Sequence, residues 1–190
     1  MVVGFLIHVF TPKPSINSIL FSNFYSTKLN DEDEIKRSTA IIQQVIQDYS
    51  FQEKCLKSTP INEGIDSKIK IQIQEKSVNI GSFRIPKGKL FDSPKIVLWK
   101  KVYEVFYTLI LEKDENRKLA KYFLQQFVLS LNDLFRDDKI SSKPRDLFTK
   151  AEEVLILVDQ TLPGGQLIYP NSYLMKHIQK QTKTLISEKK

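Results

Sequence analysis

Cysteine is nearly absent from this chain: Cys55 is the only one. A lone thiol closes no internal disulfide, and it fits a reducing cytosol better than secretion. Histidine is almost as scarce. His8 lies in an apolar stretch and His177 in a basic one, and neither shares ligand spacing with Cys, Asp or Glu. No metal site is therefore expected. Of six glycines only Gly164-Gly165 form a pair, directly after Pro163. That pair follows a helical pattern rather than a strand, so it reads as a helix stop and not as a phosphate cradle. No base–nucleophile pair can be named either. A small hydrolase or transferase ranks last among the functions, and no catalytic residue, cofactor-binding residue or metal ligand is assigned.

Long apolar runs are missing too. The opening Met1-Val-Val-Gly-Phe-Leu-Ile-His-Val-Phe10 is too short to span a bilayer. It also lacks the basic start and small-residue cleavage site of a signal peptide, and Thr11-Pro-Lys-Pro14 follows at once. The later run Ile96–Leu111 is broken by Lys100, Lys101 and Glu104. The chain is expected to be soluble unless a partner carries it to a membrane.

What the chain does have is positive charge. Twenty-nine Lys and Arg against 22 Asp and Glu leave +7. Much of the excess is local, because the stretch from Lys176 to Lys190 holds five Lys and only Glu188 as an acid. The bases are overwhelmingly Lys; only Arg37, Arg84, Arg117, Arg136 and Arg145 are Arg. Base readout and bidentate phosphate clamping favour the guanidinium, whereas Lys-rich faces commonly serve solubility. No nucleic-acid partner is expected, although a basic nucleic-acid-binding module stays as the alternative from another class. Its signature would be a steep salt dependence of binding. Asp31-Glu-Asp-Glu34 is an acidic run, but consecutive helical positions fan around the axis and cannot converge on one substrate atom. In a first helical turn such charges complement the helix dipole.

A length of 190 residues predicts one domain. A domain of that size buries about 70% of its unfolded surface without staples. Along it, Val2–Phe10 reads as a strand covered on both faces, and Ile19–Tyr25 as its hairpin partner. A helix starts near Asn30 or Asp31, with Ile35, Ile42, Val45, Ile46 and Tyr49 as its buried stripe and Ile41 at the margin. The polar stretch at about 54–77 reads as an insertion with room for an edge strand at Lys68–Ile73. Strand character returns at Val78–Ile85, and Ile96–Val102 with Val105–Leu111 forms a hairpin turning near Tyr103-Glu104. Asp114-Glu115-Asn116 opens a helix buried through Leu119, Tyr122, Phe123, Phe127, Leu131 and Leu134. Another begins near Pro144, with a stripe of Phe148, Ala151, Val154, Leu155, Val158 and Leu162. Asn171 or Ser172 caps a last helix with Leu174, Ile178, Gln181 and Leu185 on one side. That order predicts an α/β fold, a central five-stranded, mainly antiparallel sheet flanked by helices, with an additional C-terminal helix. Trp99 and Tyr103 are expected in the core, and no interface residue is nominated.

The order of elements and three stretches resemble the longin-like small (sigma) subunits of adaptor protein coat complexes. The stretches are Met1–Phe10, Lys95-Ile-Val-Leu-Trp-Lys-Lys-Val102 with the Val105–Leu111 strand and Asp114-Glu-Asn116, and Val158-Asp-Gln-Thr-Leu-Pro-Gly-Gly-Gln-Leu167. The Phe-Leu-Ile-His start and the Pro-Gly-Gly-Gln-Leu segment look most like the sigma subunit of the fifth adaptor complex. The resemblance implies one longin-like sigma-adaptin domain over 1–190, with the insertion at about 54–77 and a Lys-rich C-terminal helix or tail at about 171–190. It implies a non-catalytic subunit of a heterotetramer, partnered by a large zeta-type subunit, a beta-type large subunit and a mu-type medium subunit. It further implies work without clathrin at late endosomes and lysosomes, alongside spatacsin and spastizin, in retrieval of cargo towards the Golgi. Membrane association would then be peripheral, through the complex. Another longin-type trafficking or tethering-complex subunit is the alternative on the same fold. In clathrin-associated relatives the sigma subunit lines a pocket for acidic dileucine signals. That pocket is not carried over, because Lys13, between two prolines, does not match the basic residue expected after the first strand.

Overall fold

The apolar opening segment lies inside a sheet, as a strand that both layers of helices cover. A computed structural model describes residues 1–11, 15–25, 31–58, 79–136, 147, 150–169 and 171–188. Strand β1 (Val2–Val9) pairs with β2 (Ile19–Phe24) on one side and with β5 (Val105–Glu112) on the other. Strand β4 (Lys95–Val102) lies beside β5, and β3 (Ile80–Ile85) closes the far edge. The order is β2-β1-β5-β4-β3, with every neighbouring pair antiparallel. The longin-like architecture expected from the sequence is the one observed.

Side chains alternate across this sheet, so each face has its own core. Phe5, Ile7, Leu98, Tyr107 and Leu109 meet one layer made by α2 (Arg117–Arg136), α3 (Ala151–Thr161) and α4 (Ser172–Glu188). Leu6, Val97, Trp99, Phe106 and Ile110 meet α1 (Asp31–Ser58) on the other face. A strand covered twice has no polar face to show, which is why β1 and β5 read as nearly unbroken apolar runs.

The helix starts follow local chemistry. Asp31 to Glu34 fill the first turn of α1, and the Ser22 hydroxyl donates to Glu34 Oε1 at 2.7 Å, tying the helix to β2. The Asn116 side chain accepts from the backbone N–H groups of Lys118 and Leu119, both at 3.1 Å, satisfying donors that have no intrahelical partner. Asn171 does the same for Leu174 at 2.7 Å. After α3 the chain makes a tight turn through Pro163–Gly165, with Gly165 at φ 79 and pressed against the Val2 carbonyl and the Tyr25 ring. Only glycine fits there, on grounds of both backbone angle and space.

Several buried stripes differ from their sequence expectation. Ile35, near the start of α1, is exposed, and Ile41 is fully buried beside Ile42 because the apolar surface beneath the helix is broad enough to take both. In α3 the buried face is Val154, Leu157, Val158 and Thr161, while Ala151 and Leu155 point outward. The stripe is turned towards Leu157 because α3 must pack on the sheet and on α4 together. Met175, Ile178 and Thr182 are the buried positions of α4, and Gln181 is exposed. Helix α1 also runs through Ser58, beyond the expected boundary at Lys54. Lys68–Ile73, Pro144 and Phe148 lie outside the described residues, as does the side chain of Leu185.

Candidate interaction surface

The β4–β5 hairpin turns in two residues, Tyr103 and Glu104, between the paired Val102 and Val105. A connection this short favours residues that accept positive φ. Tyr103 nevertheless occupies it, at φ 54, and its side chain is 76% exposed. This corrects the expectation of a core tyrosine: a residue at the tip of a two-residue turn projects beyond both faces of the sheet. A tyrosine in the left-handed region costs on the order of 1–2 kcal/mol relative to an ordinary conformation. Strain of that kind at an exposed aromatic points to a surface with a task.

Behind the tip the side chains are ordered by aromatic contacts. The Phe10 N–H donates to the Glu104 carbonyl at 2.8 Å, and the Phe10 ring stands edge-on to Tyr49 at 5.8 Å. Lys101 donates to the Tyr49 hydroxyl at 2.6 Å. Its ammonium also lies 4.1, 5.4 and 5.9 Å from the ring centroids of Tyr49, Phe10 and Phe106. Ring faces attract a cation, so a half-buried lysine is held in place here at the rim of the core. Trp99 beneath it is fully buried, as expected, and donates through Nε1 to Asp48 Oδ2 at 2.7 Å. The tip therefore presents an exposed aromatic, a partly exposed Phe10 and a fixed positive charge on a rigid base.

Nothing in this arrangement suits proton transfer. The His8 ring stacks flat on Phe106 at 5.1 Å and is fully buried. Burial pushes its pKa down to about 4, against a weak opposing contact with the Val9 carbonyl. His8 is thus a neutral packing residue at pH 7. His177 is exposed on α4, in the layer on the opposite side of the sheet from the His8 cluster. Among the described residues no group of three His, Cys, Asp or Glu could hold a metal. Among them, too, no helix is long and apolar enough to cross a membrane.

Further apolar surface is open elsewhere. Helix α1 crosses the sheet from edge to edge, with Glu34 bonded to Ser22 of β2 and the Gln52 amide close to Gly81 of β3. Phe51 and Leu56 are exposed on the C-terminal half of α1, with Cys55 next to Leu56. Leu129 and Leu155 are exposed in the opposite layer. Sequence reading missed the tip as a site, although the two-residue gap between Val102 and Val105 was the signal for it.

Comparison with known proteins places this fold in a family. Residues 1–183 match the family described as AP-5 complex subunit sigma-1. The chain belongs to that family. The human AP-5 complex subunit sigma-1 is 27% identical to it over 101 residues, which cover 53% of this chain and 49% of the human protein. The chain thus matches about half the length of that relative. A chain of "Homology model of the full-length AP-3 complex in a stretched open conformation" superimposes over 100% of this chain and 98% of its own, with a TM-score of 0.56 at 16% identity. That likeness shows the fold alone. As an AP-5 sigma-1 family member the chain is an adaptor-complex small subunit, in a family that is generally non-catalytic.

Proposed function

We propose that this chain binds the N-terminal part of a zeta-type large subunit and so stabilises a heterotetramer that also holds a beta-type large and a mu-type medium subunit. The assembly works without clathrin at late endosomes and lysosomes, with spatacsin and spastizin, in retrieval of cargo towards the Golgi. Membership of the AP-5 sigma-1 family supports this reading. The observation in the structure that carries it is Tyr103, an exposed aromatic kept in a strained turn beside Phe10 and Lys101. Interfaces draw much of their energy from a few aromatic anchors. The sigma chain's role is architectural, and cargo binding is not assigned to it.

Co-expression with a zeta-type subunit, followed by co-purification, tests the reading. Tyr103→Gly is the informative variant, because it relieves the turn while removing the anchor. The isolated variant should be about 1 kcal/mol more stable, yet its association should weaken at least about tenfold. Association as tight as that of the unaltered chain would remove Tyr103 from the interface. Failure of the unaltered chain to enter any heterotetramer would overturn the reading as a whole. Mass spectrometry of the purified assembly then shows whether spatacsin and spastizin accompany it.

A further inference from the structure

The outer face of α4 is chemically uniform. Tyr173, Lys176, His177, Lys180 and Thr184 are all exposed, and their spacing places them on one helical stripe. Met175, Ile178 and Thr182 turn the other way, into the core. From Tyr169 to Ser187 the sequence contains no Asp or Glu. Among the described residues, no acid forms a salt bridge with Lys176 or Lys180. Tyr173 is 82% exposed and Tyr169, just before the helix, 64%.

The same character continues onto α2. Tyr169 stacks on Tyr122 with ring centroids 5.8 Å apart. Lys118 lies one turn before Tyr122 on the same side of α2 and is exposed, as is Lys121. Lys121 is also close enough to Lys100 on β4 to help hold that ammonium's pKa below its ordinary value, after partial burial. Lysines and tyrosines thus gather on the layer of helices opposite α1.

We propose that this face, centred on Tyr173, Lys176 and Lys180 with Tyr169 at its border, rests against an anionic lipid surface. Two ligand chemistries could meet such charge, an acidic protein or a lipid headgroup layer, and the composition separates them. Protein interfaces are depleted in Lys and enriched in Arg, and gather around an apolar centre. The α4 stripe has Lys without Arg, and no aliphatic side chain. Lys and Tyr, by contrast, suit a headgroup layer, because both carry a polar tip on an apolar body and Lys is drawn to anionic lipid. The contact is reversible and additive, so it strengthens attachment of an assembly already delivered to a membrane. The proposal concerns this chain's own surface and stands apart from the identity of its protein partners.

The test is co-sedimentation of the full chain with vesicles of phosphatidylcholine alone and with an equal mixture of phosphatidylcholine and phosphatidylserine. Binding should appear only with phosphatidylserine and should weaken as salt is added. Replacing Lys176→Gln and Lys180→Gln together should reduce it roughly 25-fold, about fivefold for each charge. The paired control, Lys36→Gln with Lys57→Gln on α1, removes the same charge from the other side of the sheet and should leave most of the binding. Equal sedimentation with both vesicle types overturns the proposal, as does an equal loss in the two paired variants. It is also overturned if Lys176→Gln with Lys180→Gln leaves vesicle binding intact but abolishes co-purification with the large subunit. In that case the face belongs to an acidic protein. Co-purification of the unaltered chain, read in parallel, keeps failure here distinct from failure of the assembly reading.

Discussion

His8 shows how burial turns a titratable side chain into a packing one. Its pKa falls from 6.5 in an exposed chain to about 4 in the fold. Above about pH 6.5 both states hold a neutral imidazole, and stability is at its full value. As pH drops from about 6.5 to about 4 the unfolded chain takes up a proton that the native one refuses, so the native state loses about 3 kcal/mol. A His8→Leu variant should therefore show a flatter dependence of its urea midpoint over that window; parallel curves would acquit the imidazole. Gly81 is the second informative residue. A Cβ there would sit 2.3 Å from Cζ2 of Trp99, a buried ring anchored by Asp48. Gly81→Ala should cost about 2 kcal/mol and red-shift the emission of the only tryptophan. The sequence placed both His8 and Trp99 in apolar surroundings, but it could not show that glycine on the neighbouring strand makes room for the indole.

Helices and strands were predictable to the extent that local rules govern them. The acids of Asp31–Glu34, Asn116 ahead of α2 and Asn171 ahead of α4 were all readable as starts, because capping is satisfied within one turn of chain. Asn171→Ala should accordingly cost about 1 kcal/mol. In a chain of this size that lowers the melting temperature by about 3 °C. Calorimetry showing no change would mean that the cap contributes nothing to α4. The phase of a buried stripe is another matter. Leu155 and Leu157 are equally apolar, yet one is exposed and the other buried, since the choice is made by what α3 packs against. Tyr103 follows the same logic: an aromatic beside a strand counts as core by pattern, and only the geometry of the turn expels it.

For the molecule as a whole, the consequential feature is apolar surface left open on a well-packed fold. Phe51 and Leu56 stand exposed on the C-terminal half of α1. Replacing both with Ser should change the stability of the isolated chain by no more than about 0.5 kcal/mol each, because neither contributes to the core. If this end of α1 contributes to the large-subunit interface, the same pair should weaken co-purification of the assembly several-fold. Unchanged co-purification would remove this end of α1 from the interface.

The sequence by itself determined the composition of the layers. It specified an apolar strand covered on both sides, a hairpin at Tyr103-Glu104, capped helices and a Lys-rich last helix, because periodicity and capping depend on neighbours a few residues apart. Only the tertiary structure decided which apolar side chains stay outside. Exposure depends on where a helix ends relative to the sheet, how far its stripe is rotated and what a two-residue turn permits, and those are relations between residues distant in the chain. The surfaces that could serve a partner or a membrane arise from the same relations, which is why motifs revealed the family and packing revealed the sites.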